Sequence, residues 1–305
     1  MIQDIGTGRF DNQYRDTAPE PEDIVLSYIG KNRGDSALVI RDTSCPDAPK
    51  PEASSGPQIL DINEPVSLPH VSDLPGRTLR YLFRIDDTRY FLDITDIYGE
   101  TPAAAFPPAG FHYAHTHVLR EYAATDTDIA FAGMTGFHLY MWYLESRFCG
   151  KCGHAAVHDT KLRMMRCPSC GHMIFPKIAP AVIIGLRSGD SIMMTRYAGR
   201  DYKGRALLAG FCEIGETPEE TVVREVMEEV GLKACNVQYY ASQPWGFDAN
   251  LLMGFFADVE GDTTVTMDQD ELASACFVPR DEIVPDPNLF SLTATMIEAF
   301  RKGEW

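Results

Sequence analysis

Residues 210–232, with the sequence GFCEIGETPEETVVREVMEEVGL, constrain the fold of this chain more than any other segment. Thr217 can cap a helix, Pro218 suits its first position, and Glu220 stands where it completes a capping box. Gly231 stands where a helix can end on a residue in the left-handed conformation. The segment therefore predicts one helix that begins after Thr217 and ends at Gly231.

The predicted helix has two unlike faces. At about 100° per residue, the apolar stripe consists of Val223, Val226, Met227 and Val230. Nearly opposite lie the carboxylates of Glu225, Glu228 and Glu229. Like charges at this spacing cost a helix about 0.2–0.5 kcal/mol per pair. Magnesium or manganese would relieve that repulsion, because hard cations bind carboxylate oxygens. We expect the stripe to dock on a sheet while the carboxylates face outward together; a plain solvated acidic face is the alternative.

Cysteines at regular spacing predict a zinc site. The spacing is C-x2-C-x14-C-x2-C, in the knuckles FCGKCGH and RCPSCGH, and the residues are Cys149, Cys152, Cys167 and Cys170. This spacing lets four thiolates meet around one ion, and a closed four-sulfur site is structural rather than catalytic. Two unrelated pairs of reduced cysteines are the alternative. We expect the remaining cysteines to be small buried residues: Cys45, Cys212, Cys235 and Cys276.

The charge of the chain argues against a general nucleic-acid-binding protein. Its 305 residues carry a formal net charge of −17, which repels polyanions. The N-terminal sequence does not have the basic start and apolar run that are typical of a signal peptide. No apolar stretch of the sequence has the length of a membrane span. We therefore expect a cytoplasmic protein.

The cysteine segment reverses the sign of this charge. Residues 146–177 contain one acidic residue, Asp159, against six basic ones: Arg147, Lys151, Lys161, Arg163, Arg166 and Lys177. With a zinc tetrathiolate counted as about −2, the segment stays at about +3. Two interpretations remain open. The segment binds the phosphates of a longer substrate such as RNA, or it is a solvated surface that balances the charge of the cluster.

The rest of the pattern predicts an α/β protein. Before the cysteines, apolar runs at residues 24–29, 37–40, 79–85 and 89–94 predict strands, and residues 125–145 predict a helix. After the cysteines, residues 181–198 predict a hairpin, more strands follow, and residues 292–301 predict a closing helix. Strands and helices in this order favour a mixed sheet with helices on both faces.

The segment at 210–232 resembles the Nudix box, G-x5-E-x7-R-E-U-x-E-E-x-G-U with U aliphatic, at every defined position. Residues 242–250, SQPWGFDAN, resemble the signature SQPWPFPxS, and residues 175–183, FPKIAPAVI, resemble YPRxxPAxI. Both belong to the NAD(H) pyrophosphatase family of Nudix hydrolases. The resemblance implies an N-terminal α+β Nudix-associated domain (1–145), a zinc ribbon (146–175) and a Nudix α/β/α sandwich with a mixed sheet (176–305).

The same resemblance implies a hydrolase that cleaves the diphosphate of NAD(H) to NMN(H) and AMP with metal-activated water. The magnesium or manganese ligands would be Glu225, Glu228, Glu229 and Glu271. Glu229 would also orient or deprotonate the water, Arg224 would hold a glutamate in place, and Glu216 would complete the catalytic set.

Substrate contacts also follow from the resemblance. Phe175 and Phe211 would stack on the nucleotide base, Ile183 would line its pocket, and the backbone at Ala209 would lie near metal or phosphate. The specificity side would be lined by Gln243, Trp245 and Phe247. The family also implies a homodimer in which Phe175 contributes to the pocket of the partner.

The chain departs from the signature at three positions, where Gly246, Asp248 and Asn250 replace two prolines and a serine. Loss of the prolines is expected to loosen the loop and to reduce discrimination for NADH. The alternatives are removal of NAD caps from RNA, or a broader substrate such as ADP-ribose or a dinucleoside polyphosphate. A non-enzymatic sensor is disfavoured, because every glutamate of the box is present.

Overall fold

The computed structural model describes residues 1–7, 9–42, 59–60, 66–97, 106–123, 126–198 and 204–305. These residues form two compact units. The N-terminal unit comprises residues 2–177 and 246–248, and the C-terminal unit comprises residue 1 with residues 178–245 and 249–305. Within the described ranges, no helix combines the length and the apolar character that a membrane crossing requires.

Two sheets and two helices precede the cysteines in the N-terminal unit. The strands are β1 (Phe10–Asp11), β2 (Ile24–Leu26), β3 (Tyr28–Ile29), β4 (Ala37–Asp42), β5 (Ile59–Leu60), β6 (Val66–Ser67), β7 (Leu79–Ile85), β8 (Thr88–Asp93) and β9 (Phe111–His115). One sheet has the order β1-β7-β8-β2; the other has the order β3-β4-β9-β5, with β6 on β4. The helices are α1 (Val118–Tyr122) and α2 (Thr127–Glu145).

The long helix α2 forms the core of this unit. Its N-cap is Asp126, whose carboxylate accepts a hydrogen bond from the amide of Ile129 at 3.0 Å. Buried side chains occur on every side of the helix, among them Phe131, Met134 and Trp142, so it packs against neighbours all round. The prediction of a helix here is confirmed.

The predicted strand at residues 24–29 is divided in two. Ser27 lies between β2 and β3, and its hydroxyl donates to the carboxylate of Asp93 at 2.9 Å. The turn between β7 and β8 has Asp86 at φ 50°, a conformation that Asp tolerates better than most residues.

The cysteine segment forms a small antiparallel sheet of three short strands. These are β10 (Val157–His158), β11 (Met165–Arg166) and β12 (Met173–Ile174), in that order across the sheet.

The C-terminal unit is built on a six-stranded mixed sheet with the order β16-β17-β13-β14-β18 and with β15 paired to β13. The elements are β13 (Ala179–Ser188), β14 (Ser191–Tyr197), β15 (Leu208–Phe211), α3 (Pro218–Val230), β16 (Ala234–Trp245), β17 (Asn250–Val259), β18 (Leu272–Pro279) and α4 (Leu292–Arg301). The β13–β17 pair is parallel, whereas the other pairs are antiparallel.

Alternate residues of β13 divide this unit into two cores. Val182 and Ile184 pack in the cluster that contains α3. Ile183 packs in the cluster that contains Met296 and Phe300 of α4. Successive strand residues point to opposite faces, so one helix covers each face of the sheet. The predicted α/β/α sandwich is confirmed.

The predicted ends of α3 are confirmed. The hydroxyl of Thr217 accepts from the amide of Glu220 at 3.2 Å, and the carboxylate of Glu220 accepts from the amide of Thr217 at 2.8 Å. Gly231 ends the helix at φ 69° in the left-handed region.

The apolar stripe predicted for α3 is confirmed at Val226 and Val230 and is wrong at Val223 and Met227. The residues buried in the sheet are Val222, Val226 and Val230, while Val223 and Met227 are 44% and 45% exposed. Glu225 and Glu229 are also buried, so the three carboxylates do not face outward together. The reason lies outside the helix, because Glu225 and Glu229 contact β15 at Gly210 and Ala209.

Candidate active site

Arg224 is the centre of the acidic cluster. Its guanidinium donates to both carboxylate oxygens of Glu216, at 2.7 and 3.0 Å. Its Nη1 donates to Glu225 at 2.8 Å and to Glu228 at 2.7 Å. Its Nη2, which also binds Glu216, donates to the carbonyl of Phe211 at 2.9 Å. Because a guanidinium presents five donors in a fixed plane, this single side chain holds three carboxylates and the end of β15 together.

Glu216 is held as a carboxylate. The guanidinium of Arg224, followed by the backbone amide of Glu213, lowers the pKa of Glu216 to about 2. The fully buried Thr221 donates its hydroxyl to the same carboxylate at 3.0 Å. Thr221 was missed in the sequence; the available signal is a small polar residue on the inward face of α3.

Glu225 lies against β15 at Gly210. A Cβ at position 210 would overlap the carboxylate of Glu225, so only glycine leaves room for the acid. Burial raises the pKa of Glu225, Arg224 opposes the shift, and the negative charges of Glu228 and Glu271 add to it. This carboxylate therefore lies in a partly desolvated and negatively charged place that a cation would neutralise.

The other acids of the cluster lie at different depths. Glu229 is 2% exposed, and its carboxylate accepts a hydrogen bond from the amide of Ala209 at 3.3 Å. Glu228 lies at the surface apart from its bond to Arg224. Glu271 is exposed just before β18, and its charge reaches Glu225. The structure thus brings the predicted acids to one end of the sheet, beside β15.

The donor chemistry of this cluster fits hard divalent cations, which bind carboxylate and carbonyl oxygens. The acids are held by protein groups here, since Arg224 binds Glu225 and Glu228 while Glu229 turns to Ala209. Their oxygens do not gather within 4.8 Å; among the described residues, that arrangement occurs at the cysteines. Glu225, Glu228, Glu229 and Glu271 are therefore suitable ligands by chemistry, and their oxygens must come closer together to share a cation.

The residues predicted to meet a nucleotide base differ in exposure. Phe211 at the end of β15 is 56% exposed, and Phe175, in the N-terminal unit, is 53% exposed. Both rings have a free surface for stacking. Ile183 is buried on the α4 side of the sheet, so it can form only the floor of a pocket.

The predicted specificity residues perform different tasks. Gln243 is fully buried, and its amide group links two backbone groups at the start of α4, the carbonyl of Phe290 at 2.9 Å and the amide of Leu292 at 2.7 Å. Trp245 is partly exposed, and its ring stacks on that of Phe290 with the ring centroids 5.9 Å apart. Phe247 is buried within the N-terminal unit. Of the three, only Trp245 presents a side chain to solvent.

The cysteine sulfurs fit one zinc ion. The ligand atoms of Cys149, Cys152, Cys167 and Cys170 lie within 4.8 Å of one another. The closest pairs are 3.4–3.6 Å apart, near the edge of about 3.8 Å that a tetrahedron with zinc–sulfur bonds of about 2.3 Å requires.

Both knuckles have the same backbone pattern. In the first knuckle the amide of Cys149 donates to the carbonyl of His154, and the amide of Gly153 donates to the carbonyl of Cys149. In the second knuckle the amide of Cys167 donates to the carbonyl of His172, and the amide of Gly171 donates to the carbonyl of Cys167. Gly153 and Gly171 have φ of 74° and 73°, which explains a glycine after each second cysteine. The amide of Cys170 helps to lower the pKa of the Cys167 thiol to about 6, which favours the thiolate that binds metal.

The basic surface of this ribbon is smaller than the sequence indicates. Arg163 turns inward and donates to the side chain of Asn12 at 2.6 Å and to the carbonyl of Leu82, and burial lowers the pKa of its guanidinium. Arg166 pairs with Asp159 at 3.5 Å. Arg163 therefore does not belong to a solvated basic surface.

The prediction of buried scattered cysteines was wrong for the three that the structure describes. Cys212 and Cys235 are partly exposed and Cys276 is exposed. Cys235 and Cys276 lie on β16 and β18, the two ends of the strand order, where the sheet is not covered by a further strand. Cys45 lies outside the described residues.

Comparison with known proteins assigns the family. The NUDIX domain family matches residues 177–300, and the NADH pyrophosphatase zinc ribbon domain matches residues 144–175. The protein named NAD-capped RNA hydrolase NudC from Photorhabdus laumondii is 36% identical over 180 residues, which cover 59% of this chain and 70% of that relative. The protein of the same name from Enterobacter sp. is 40% identical over 156 residues, covering 50% and 59%. The chain therefore belongs to the family of zinc-ribbon Nudix hydrolases that these relatives represent.

Proposed function

We propose that this Nudix hydrolase cleaves the diphosphate bond of NAD(H) and releases NMN(H) and AMP. The observation that carries the proposal is the acidic cluster on α3, which Arg224 holds beside β15. The matches to the NADH pyrophosphatase zinc ribbon and to relatives named NAD-capped RNA hydrolase support a pyridine dinucleotide as the substrate.

The acids would hold divalent magnesium or manganese through Glu225, Glu228, Glu229 and Glu271. Such cations supply positive charge at the phosphates and lower the pKa of bound water. The oxygen of a water molecule forms a bond to one phosphorus, the bridging phosphorus–oxygen bond breaks, and a proton passes from the water to the carboxylate of Glu229. Arg224 keeps the cluster assembled, and Glu216 fixes the orientation of Arg224 through two hydrogen bonds.

The base of the substrate would stack on Phe211, above a pocket floor that includes Ile183, with the backbone of Ala209 near the phosphates. Trp245 and Phe247 would define the specificity side, Trp245 by direct contact. We assign Gln243 to a supporting task, because its amide group joins Phe290 and Leu292. We also propose a homodimer in which the exposed ring of Phe175 enters the pocket of the partner.

A panel of substrates tests the assignment. The values of kcat/KM for NADH, NAD, ADP-ribose and diadenosine polyphosphates would be compared with magnesium or manganese, with products identified by mass and with a chelator as control. We expect NADH or NAD to be preferred and NMN(H) and AMP to be formed. If ADP-ribose or a dinucleoside polyphosphate is preferred by about tenfold, a difference of about 1.4 kcal/mol, the NAD assignment is wrong.

Removal of NAD caps from RNA is the second candidate, and the names of the relatives favour it. Lys161, between β10 and β11, and Arg166, on β11, are exposed cations of the ribbon that could meet an RNA backbone. The double substitution Lys161→Glu with Arg166→Glu should weaken cleavage of NAD-capped RNA while sparing free NADH, more strongly at low salt. Equal loss on both substrates would exclude docking by the ribbon. Arg163 is unsuitable for this test because it holds Asn12 and Leu82.

These proposals assign a role to each part of the chain. We propose that residues 176–305 perform the chemistry, that residues 146–175 form a structural zinc ribbon, and that residues 1–145 form a supporting domain. We also propose that the protein works in the cytoplasm, where reduced cysteines remain available for zinc. Loss of turnover in Glu229→Gln with an unchanged fold would separate this enzyme from a ligand sensor.

A further inference from the structure

The turn that joins β16 to β17, residues 246–248, belongs to the N-terminal unit although both strands lie in the C-terminal unit. One guanidinium nitrogen of Arg33 donates to the carbonyl of Phe247 at 2.6 Å and approaches that of Gly246 at 3.4 Å. These contacts join residues more than 200 positions apart and fix the backbone of the turn at two successive carbonyls.

Helix α2 explains the glycine at position 246, where the family signature has a proline. A Cβ on Gly246 would overlap the carbonyl oxygen of Met134 and would lie 3.1 Å from its carbonyl carbon. The obstacle is helix backbone, which cannot move aside as a flexible side chain can. The turn therefore packs directly on α2, and no residue with a side chain fits there.

A third contact holds the turn through its aromatic residue. The ring of Phe247 is 6% exposed, and the guanidinium of Arg120 lies 4.9 Å from its centroid, a cation–π geometry. Two arginines and one helix backbone thus hold a turn of three residues.

Arg33 is itself held in place. It begins a short 3-10 turn, Arg33–Asp35, whose ends are tied down. The hydroxyl of Tyr140 on α2 donates to the carbonyl of Gly30 at 2.8 Å, and the hydroxyl of Ser36 donates to the carbonyl of Asn32 at 2.6 Å. The arginine therefore reaches the turn from a fixed base, which reduces the entropy lost when it binds.

From these contacts we propose that Arg33 is a positioning residue that sets the conformation of the SQPWGFDAN segment and, through it, the discrimination for the pyridine dinucleotide. The part concerning discrimination rests on the proposed function. A looser loop was expected because two prolines are missing, but contacts with residues 2–177 supply the restraint that proline would give. Arg33 itself would touch no substrate and would act through the turn.

Hydrogen exchange tests the restraint without any turnover. In Arg33→Ala, the amides of residues 245–250 should exchange at least about tenfold faster, equivalent to about 1.4 kcal/mol of lost local stability. The amides of β13 should be unchanged, and Arg33→Lys should restore protection in part. Unchanged exchange at residues 245–250 in Arg33→Ala would overturn the proposal, whether or not NADH is the substrate.

Kinetics test the consequence for the substrate. Arg33→Ala should raise KM for NADH by about fivefold or more with kcat changed by less than about twofold, because an unrestrained loop must be ordered on binding. KM for ADP-ribose, which lacks nicotinamide, should change little. The matched control is Arg41→Ala, which removes an exposed arginine paired with Asp73 at 2.7 Å and placed over Phe111.

If exchange accelerates while the ratio of kcat/KM for the two substrates stays constant, the role in discrimination is wrong. If the wild-type enzyme does not cleave NADH, the proposed function fails while the exchange result still decides the restraint.

Discussion

The carboxylate of Glu225 lies so close to the α-carbon of Gly210 that a side chain on that carbon would overlap it. This contact places an acid from the middle of α3 against the strand that leads into the box. It also accounts for the raised pKa of Glu225, because β15 removes water from one side of the carboxylate.

Substitution Gly210→Ala should therefore displace Glu225 and weaken the metal site. We expect kcat/KM to fall by about tenfold or more and manganese to bind more weakly, since misplaced ligands or their supports cost about 10–100-fold in affinity or activity. Titration of manganese by electron paramagnetic resonance, together with steady-state kinetics, provides the measurement.

Gly185→Ala is the matched control on the neighbouring strand. Its new Cβ would lie 2.5 Å from the ring of Phe256 in the core, so it should destabilise the fold by about 1–3 kcal/mol through overpacking. Its manganese affinity should remain that of the wild type. Equal loss of manganese affinity in both variants would show that Gly210 acts through general stability.

Arg224→Lys should separate positive charge from geometry at the hub. A lysine ammonium retains the charge but cannot reach Glu216, Glu225 and Glu228 with a planar fork. We expect kcat to fall by about 10–100-fold. Arg187→Lys is the control. Arg187 on β13 pairs with the carboxylate of Asp258 on β17 at 2.9 Å, and its replacement should leave kcat at the wild-type value. Full activity in Arg224→Lys would mean that charge alone assembles the cluster.

The same hub sets a dependence on acid. Arg224 holds the pKa of Glu216 at about 2, so the stabilisation from this pair is complete above the ordinary value of about 4.3 and is lost as the pH falls toward 2. In Arg224→Lys, where the pKa of Glu216 is lowered less, the loss should be smaller and should end at higher pH. Unfolding followed by circular dichroism between pH 5 and pH 2, at about unit intervals of pH, would reveal the shift; coincident curves for the two proteins would contradict it.

The ends of α3 were predictable from the sequence because capping depends on neighbours within one turn. Thr217, Glu220 and Gly231 interact with the helix itself, and each stands where the pattern places it. The faces were not predictable in the same way. Val223 and Val222 suit an apolar stripe equally well, and the choice between them depends on β15, which accepts Glu225 and Glu229 on the inward side.

Long-range contacts explain the other differences from the sequence analysis. Arg163 indicates a surface charge in the sequence, because nothing local shows that Leu82 and Asn12 lie beside it. Gly246 indicated a loosened loop because nothing local shows that Met134 lies against it. In both cases a partner is a backbone group distant in the sequence, and residue type does not indicate such a partner.

Zinc should be required for stability of the N-terminal unit. The ribbon strands have two residues each, too few to build a core of their own, so the ion must hold the segment. Wild-type protein should contain about one zinc per chain. In Cys149→Ser the zinc content should fall, and the thermal midpoint should decrease by about 5 °C or more. Exposed Cys276→Ser is the control and should retain both; unaltered zinc content in Cys149→Ser would refute the site.

Acid should also destabilise the N-terminal unit through His158. Its ring lies 5.2 Å from the ring of Tyr14 and 5.6 Å from that of Tyr143, and burial lowers its pKa to about 4. In the unfolded chain the histidine binds a proton below about pH 6.5, whereas the folded chain resists protonation until about pH 4. Stability is therefore complete above about pH 6.5 and decreases as the pH falls toward 4.

His158→Phe keeps an aromatic ring and removes the titration, so its stability should decrease less over this interval. Urea unfolding at a series of pH values measures the difference, with exposed His117→Gln as the control. Parallel slopes for the wild type and His158→Phe would mean that the folded protein does not keep His158 neutral.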